Sequence, residues 1–445
     1  MKKIKLGDIG SVRMCKRILK EETNSEGGIP FYKISTFGNV ADVFIDKDKY
    51  ENYKTRFSYP KKGEVLISAA GTIGRTVIYN GEDAYFQDSN IVWIENEEKE
   101  VLNSFLYYAY QNVRWKTSNG STILRLYNDD LRNTEILIPE DISEQKRIAK
   151  VLSKIDRKIS INREINRNLE ELAKQIYDYW FVQFDFPNKE GKPYKSSGGK
   201  MVWNETLKRE IPAGWKNGVL SNIAYITMGQ SPEGSSYNED GIGTIFYQGS
   251  TDFGIRFPNV RMYTTKPTRF AKIGDILMSV RAPVGAMNIA NSDCCIGRGL
   301  SAMNSKIGSI THLYYTMDYF RHTFENKNAV GTTFGSITKD ELYNLPVVIP
   351  SKEVISAFNV KTIYIFNQQL STSKEIQELT ALRDSLLPFL MSGQVTLNSC
   401  LSAHGILFFV KFTIWEVKEY VTWMLKCRYY KVFNHNFVNL WTMNR

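Results

Sequence analysis

The spacing of apolar residues changes character along the chain, and each change marks an element boundary. Up to about residue 142 the apolar residues fall in short runs, such as Val65–Ser68 and Thr76–Tyr79, separated by glycines and by the pair Asn80-Gly81. Short runs bounded by turn pairs predict strands and hairpins. Within them, Ser104–Trp115 puts Phe105, Leu106, Ala109, Tyr110 and Val113 on one helical stripe. After Ile138-Pro139 the period lengthens. Residues 143–181 contain no Gly or Pro, and Ile148, Leu152, Ile155, Ile159, Leu169, Ala173, Ile176 and Trp180 trace a heptad seam. Asn162 and Asn166 continue that seam as polar layers, and Ser143 is the expected N-cap. At 1.5 Å per residue this helix would be roughly 58 Å long.

The whole pattern then recurs. Gly63-Glu64-Val65-Leu66-Ile67-Ser68 is answered by Gly274-Asp275-Ile276-Leu277-Met278-Ser279, Gly120-Ser121-Thr122 by Gly331-Thr332-Thr333, and Ile138-Pro139 by Ile349-Pro350, each 211 residues on. Phe31-Tyr32 matches Phe246-Tyr247, and Leu106-Tyr107-Tyr108 matches Leu313-Tyr314-Tyr315. Three returns to one offset indicate a duplicated domain rather than chance. A second long helix is predicted from Ser351, with Val354, Phe358, Ile365, Ile376, Leu379, Leu386 and Leu390 inward and a stop or kink at Pro388. A lone helix with one apolar stripe needs a partner, so the two long helices are expected to pair antiparallel. The resulting division is a first mixed α/β domain (1–142), a first helix (143–181), a polar linker (182–211), a second domain (212–350), a second helix (351–393) and an atypical tail (394–445).

Composition narrows the functions without selecting one. The 445 residues carry 57 Lys and Arg against 47 Asp and Glu. The first domain is net −1 and the last 48 residues are net +4, so any basic surface on the domains must come from arrangement. Five cysteines without a C-x-x-C pair argue against a disulfide framework or a zinc site and fit a reducing compartment. A soluble, cytoplasmic protein with no membrane role is expected. The chain has no phosphate loop, since Ala70-Gly71-Thr72-Ile73-Gly74-Arg75 lacks the following Lys. No Asn-Pro-Pro or Asp-Pro-Pro run serves methyl transfer, and four histidines are too few for a metal cluster to be expected. Asp130 with Glu144-x-Lys146 has the spacing of a Mg²⁺-dependent nuclease, but the acid also suits a helix start. Bases lie beside aromatics, as in Arg114-Trp115-Lys116 and Arg269-Phe270. Arg75, Lys116, Arg125, Arg256, Arg261, Lys266, Arg281 and Arg298 sit near glycine turns where a backbone could approach a nucleic-acid groove.

The ordered set of motifs, occurring twice over residues 4–397, resembles the specificity subunit of type I restriction–modification enzymes. Ile211-Pro212-x-Gly214-Trp215 and Gly229-x-Ser231-Pro232 look like that family's opening. The first half lacks the Pro-x-Gly-Trp opening and starts near Leu6-Gly7-Asp8-Ile9, which aligns with Leu220-Ser221-Asn222-Ile223. The resemblance implies an α+β, pseudo-twofold chain. Its two target-recognition domains each read one half of a split double-stranded DNA target, and two coiled-coil-like antiparallel helices separate them. It implies no catalytic residues, metal or cofactor on this chain. Two modification subunits would supply S-adenosylmethionine, and motor–nuclease restriction subunits would supply Mg²⁺ and ATP chemistry. A coiled-coil scaffold without a DNA role is the other reading of the helices. The tail holds three of the eight tryptophans without a clean period and is expected to be an extension dispensable for recognition, with a partner- or membrane-surface element as the alternative.

Overall fold

The computed structural model describes residues 1–115, 125–321, 324, 336–397 and 410–412. These residues form two compact units. One comprises Met1–Arg157 together with Thr380–Arg445, the other Lys158–Leu379.

Each unit is built on the same antiparallel four-stranded sheet. In the first its order is Gly10–Met14, Ile91–Asn96, Val65–Ser68, Thr76–Ile78. In the second it is Ala224–Met228, Leu300–Ser305, Ile276–Ser279, Met287–Ile289. The repeated Gly-Glu/Asp-Val/Ile-Leu run supplies the third strand of both, and all four of its strand residues are buried in each copy. Strands covered on both faces read as unbroken apolar runs, which is why this motif lacks alternation. Its leading glycines, Gly63 and Gly274, adopt φ of 93° and 88°, a conformation that L side chains rarely reach. The Phe-Tyr motif also has one role in both copies. Phe31-Tyr32 pairs in parallel with Tyr85-Phe86, and Phe246-Tyr247 with Cys295-Ile296. Behind the main sheets lie Asn103–Gln111 and Ile310–Tyr319, the helices predicted between strands.

The first long helix, Ile142–Tyr177, begins in the first unit and ends in the second. Asp141, not the predicted Ser143, caps it. The Asp141 carboxylate accepts the Ser143 amide at 2.8 Å. Gln145, fully buried, pins this start to the first unit by donating to the carbonyls of Glu100 (2.8 Å) and Pro139 (2.9 Å) and accepting from the Leu102 amide (2.9 Å). The helix closes in a π-helical turn, Asp178–Val182, that buries Trp180 and Phe181.

The second long helix, Lys352–Ser392, runs through Pro388 instead of stopping there. Pro388 is exposed and lies in the last turns, where only one intrahelical bond is lost. In the second unit the helices run antiparallel. Asn162 donates to Glu375 at 2.8 Å, Asn166 to the Ser373 hydroxyl at 2.8 Å, and Gln369 to Glu170 at 2.7 Å. In the first unit Arg383 meets Asp156 at 2.9 Å, in the same descending register.

Of the expected seam, Ile148, Leu152, Ile155, Ile159, Phe358 and Ile376 are buried, while Leu169, Ile176, Ile365, Leu379 and Leu386 are half-buried. Phe366 and Leu387 take the inward places expected of Ile365 and Leu386. Thr362, Gln369, Thr372 and Ser373 are buried between them. The seam therefore has apolar ends and a polar, hydrogen-bonded centre. Beyond it, Val410–Phe412 pairs antiparallel with Val395–Leu397, so part of the tail returns to the end of the second helix. The other tail residues and the Gly-Ser/Thr-Thr motifs lie outside the described residues.

The cysteines described, Cys15, Cys294 and Cys295, are free and buried, and burial pushes the Cys15 and Cys294 thiols up to about 12. His312 is buried in the second unit, with Phe181 edge-on at 4.6 Å between ring centroids, and burial lowers its pKa to about 3. Its folded pKa is thus depressed below the usual 6.5, so between those values only the unfolded chain takes up the proton. Unfolding should become easier as pH falls below 6.5, by up to ~1.4 kcal/mol per pH unit from this group. Denaturant titrations at pH 7 and pH 5 should show a smaller pH effect for His312→Phe than for the unsubstituted protein. Equal pH effects would contradict this assignment.

Candidate nucleic-acid interface

In each unit the turn that follows the buried third strand is closed by the same serine-to-glycine backbone bond, although the second contains the cis Ala282-Pro283 peptide and the first a left-handed Gly71. The Ser68 carbonyl accepts the Gly74 amide at 2.9 Å, and the Ser279 carbonyl accepts the Gly285 amide at 2.9 Å. Both glycines have positive φ, and a side chain there would collide with an aromatic ring, Trp115 at 2.2 Å or Phe324 at 2.7 Å. The turn is fixed by its glycine and by the ring packed on it, which leaves its outer residues free to vary.

A backbone bridge crosses each turn. Ala70 pairs with Arg125 in the first unit and Arg281 with Ser336 in the second. These are equivalent positions at the 211-residue offset, yet the arginine stands on opposite sides of the bridge. The Arg125 guanidinium donates to the Ser89 carbonyl at 3.1 Å. Arg75, exposed on the same turn, donates to the Phe37 carbonyl at 2.9 Å. Both are held by neutral acceptors, and neither has an ion pair among the described residues.

In the second unit several loops are stitched together around Gly297-Arg298-Gly299. The Val280 amide donates to the Gly299 carbonyl at 2.9 Å, the Ile296 amide to the Arg269 carbonyl at 2.9 Å, and the Arg298 amide to the Ser231 hydroxyl at 3.3 Å. A side chain on Gly229 would lie 2.2 Å from the Gly297 carbonyl, so only glycine lets these loops approach so closely. Arg269, Arg281 and Arg298 are all exposed on this cluster, and none has an ion pair among the described residues. Exposed guanidiniums on glycine-rich loops are the chemistry that phosphate and guanine edges recognise.

The remaining expected bases are placed differently. Arg256 is buried, 8% exposed, and ion-paired with Glu170 at 2.7 Å, so its guanidinium faces the helices and not a surface. Its sequence neighbourhood, an arginine before a phenylalanine between glycine turns, does not separate a surface base from a buried one. Arg261 forms a two-nitrogen ion pair with the buried Asp252, and Lys266 pairs with Glu233 at 2.7 Å. Lys116 lies outside the described residues. Arg269 was quoted in the sequence only as a base beside an aromatic; its nearness to Arg298 depends on strand pairing that spacing does not reveal.

The suspected nuclease acids have local roles. Glu144 pairs with Arg147, and the Asp130 carboxylate accepts the Tyr127 amide at 3.0 Å in a helix cap. Among the described residues no group of three or more His, Cys, Asp or Glu is placed to hold a metal ion. Nor is any helix among them long and apolar enough to cross a membrane.

These two glycine-pinned, arginine-bearing units define a DNA-recognition class of protein, and the comparisons with known proteins are specific. The family described as "Type I restriction modification DNA specificity domain" matches residues 1–171 and again 212–381. The chain belongs to this family. It is 52% identical over 182 residues to a putative type I restriction enzyme specificity subunit of Haemophilus influenzae, a match that covers 40% of this chain and 46% of that relative. It is 29% identical over 430 residues to a putative specificity subunit of Methanocaldococcus jannaschii, covering 89% of this chain and 97% of that one. Among solved structures, the S subunit of a type I system from M. genitalium shares the fold with a TM-score of 0.57 at 17% identity, over 88% of this chain and 96% of that one.

Replacing Arg281 and Arg298 together by alanine should weaken binding of duplex DNA and flatten its salt dependence by about one to two units of log–log slope. Arg256→Gln should leave that slope unchanged. Affinities measured from 50 to 200 mM salt check both. An unaltered slope in the double variant would remove these arginines from the interface.

Proposed function

We propose that this chain is the DNA-specificity subunit of a type I restriction–modification complex and reads a two-part target. The observation that carries the proposal is the repeated turn with its arginine, present once in each unit on the same sheet. One domain, 1–142, reads one half-site and the other, 212–350, reads the second. The loops around the turns differ in charge: counted from the matched pairs Tyr85-Phe86 and Cys295-Ile296, Gln87-Asp88 stands where the second unit has Gly297-Arg298. The two half-sites should therefore differ in sequence. The helices 143–181 and 351–393 set the gap and offer a docking surface to two modification subunits.

In this reading the chain itself performs no chemical step. Its arginines hold phosphates and base edges, and its glycine-pinned loops keep that geometry fixed. S-adenosylmethionine is bound by the modification subunits, which methylate the target. Mg²⁺ and ATP belong to motor–nuclease subunits where these join. The nuclease reading would require Mg²⁺-dependent cutting by this chain alone.

Mapping methylated adenines genome-wide, with and without the gene, should reveal one bipartite motif that depends on it. Exchanging residues 1–142 for another member's first domain should alter only one half of that motif. Inserting one heptad into helix 143–181 should lengthen the gap instead, by about three base pairs for ~10 Å of added rise. A domain exchange that changed both halves, or a methylation pattern indifferent to the gene, would overturn the proposal.

A further inference from the structure

The Leu-Tyr-Tyr motif, repeated in both halves, has no part in the loop cluster described above. In each unit a tyrosine of the motif joins a cluster that contains a carboxylate of the first long helix and an arginine, though by different contacts: Tyr108 bonds the carboxylate and Tyr314 the arginine. In the first unit the Tyr108 hydroxyl donates to Asp156 at 2.7 Å, and the same carboxylate takes Arg383 of the second helix at 2.9 Å. In the second unit Glu170 takes Arg256 at 2.7 Å, and Arg256 also donates to the Tyr314 hydroxyl at 3.2 Å and to Gln369 of the second helix at 2.9 Å. Its guanidinium lies 4.5 Å from the Tyr314 ring centroid and 5.2 Å from that of Phe366. The two acids are fourteen residues apart in the first helix, two heptads.

Arg256 is carried by a stiff segment. Its carbonyl accepts the Ile289 amide of the sheet's edge strand at 2.9 Å. Two residues earlier, Gly254 is held by the buried Asn288 side chain through its amide and its carbonyl, both at 3.0 Å. The sheet that carries the loop cluster is thereby joined through a few directional bonds to one position on each long helix.

We infer that these two tyrosine–carboxylate–arginine clusters are positioning locks, which fix each recognition domain at one level on the spacer helices and so set the accepted gap between half-sites. The inference rests on the DNA-reading role proposed above. A buried ion pair adds little net stability over a well-packed apolar contact, so stability alone does not account for one here. Apolar helix faces can repack one turn along, a shift of about 5.4 Å. A guanidinium bound on one side to Glu170, Tyr314 and Gln369 has no second level at which those partners recur. A shift of one turn exceeds the ~3.4 Å spacing of one base pair, so losing the lock should blur the gap.

The test uses the assembled complex with its modification subunits and synthetic duplexes carrying the mapped half-sites with the gap unchanged or altered by one base pair. Glu170→Leu with Arg256→Met removes the lock without stranding a charge, and Asp156→Leu with Arg383→Met does so in the first unit. Each variant should keep both half-site sequences and a melting temperature within a few degrees of the parent. Its preference for the cognate gap should fall about 10-fold, the equivalent of one discriminating contact. Glu170→Arg with Arg256→Glu, which reverses the pair, should recover the preference. If the paired substitutions do not fold, Tyr108→Phe, which removes one hydroxyl, should still loosen the gap. Folded variants that methylate with parental gap preference would overturn the inference. A parent complex that methylates no bipartite site would instead overturn the DNA-reading role itself.

Discussion

The two long helices are held in register by polar side chains, and the rest of the structure depends on that register. Leucine and isoleucine faces would hold a helix pair together at several levels almost equally well. The bonds of Asn162 to Glu375, Asn166 to Ser373 and Gln369 to Glu170 form together at one level only. Any slip would leave the buried Asn162 and Gln369 amides without these partners, a cost of about 1–3 kcal/mol for each. The apolar ends of the seam provide cohesion, and the polar centre selects the register.

That division explains what could be read in advance. The duplication, the long helices and their antiparallel pairing follow from spacing, because the motifs return at one offset and the helices carry a heptad stripe, whereas the buried third strands show no alternation. The details of the second helix do not follow from spacing. Thr362, Thr372 and Ser373 look like surface residues, yet they are buried, and Phe366 and Leu387 displace Ile365 and Leu386 from the inward face. A kink or stop is expected at Pro388, and the helix continues to Ser392, because a missing amide matters little one turn from an end. Gln145 is invisible as a key residue because its three bonds go to backbone groups that only the fold brings near.

The candidate interface was legible as a class and less so residue by residue. Arg75, Arg125, Arg281 and Arg298 lie at or beside the glycine turns. Arg256, Arg261 and Lys266 do not present free charges, since Glu170, Asp252 and Glu233 neutralise them. Whether a base meets an acid is decided by strand pairing and loop packing across tens of residues. Arg269 gains its place beside Arg298 by the same route.

The bridge across the recognition turn has a consequence for how such sites diverge. Ala70–Arg125 and Arg281–Ser336 each present one guanidinium over one turn, but from opposite partners of the pair. A comparison made column by column would score two losses, an arginine replaced by alanine and another by serine, although each bridge has kept one arginine. What is inherited at such a position is a property of the pair of strands, and the reach of that cation differs with the side it comes from. Two half-sites can therefore drift apart in the bases they accept through a trade of residues that keeps one arginine at the bridge.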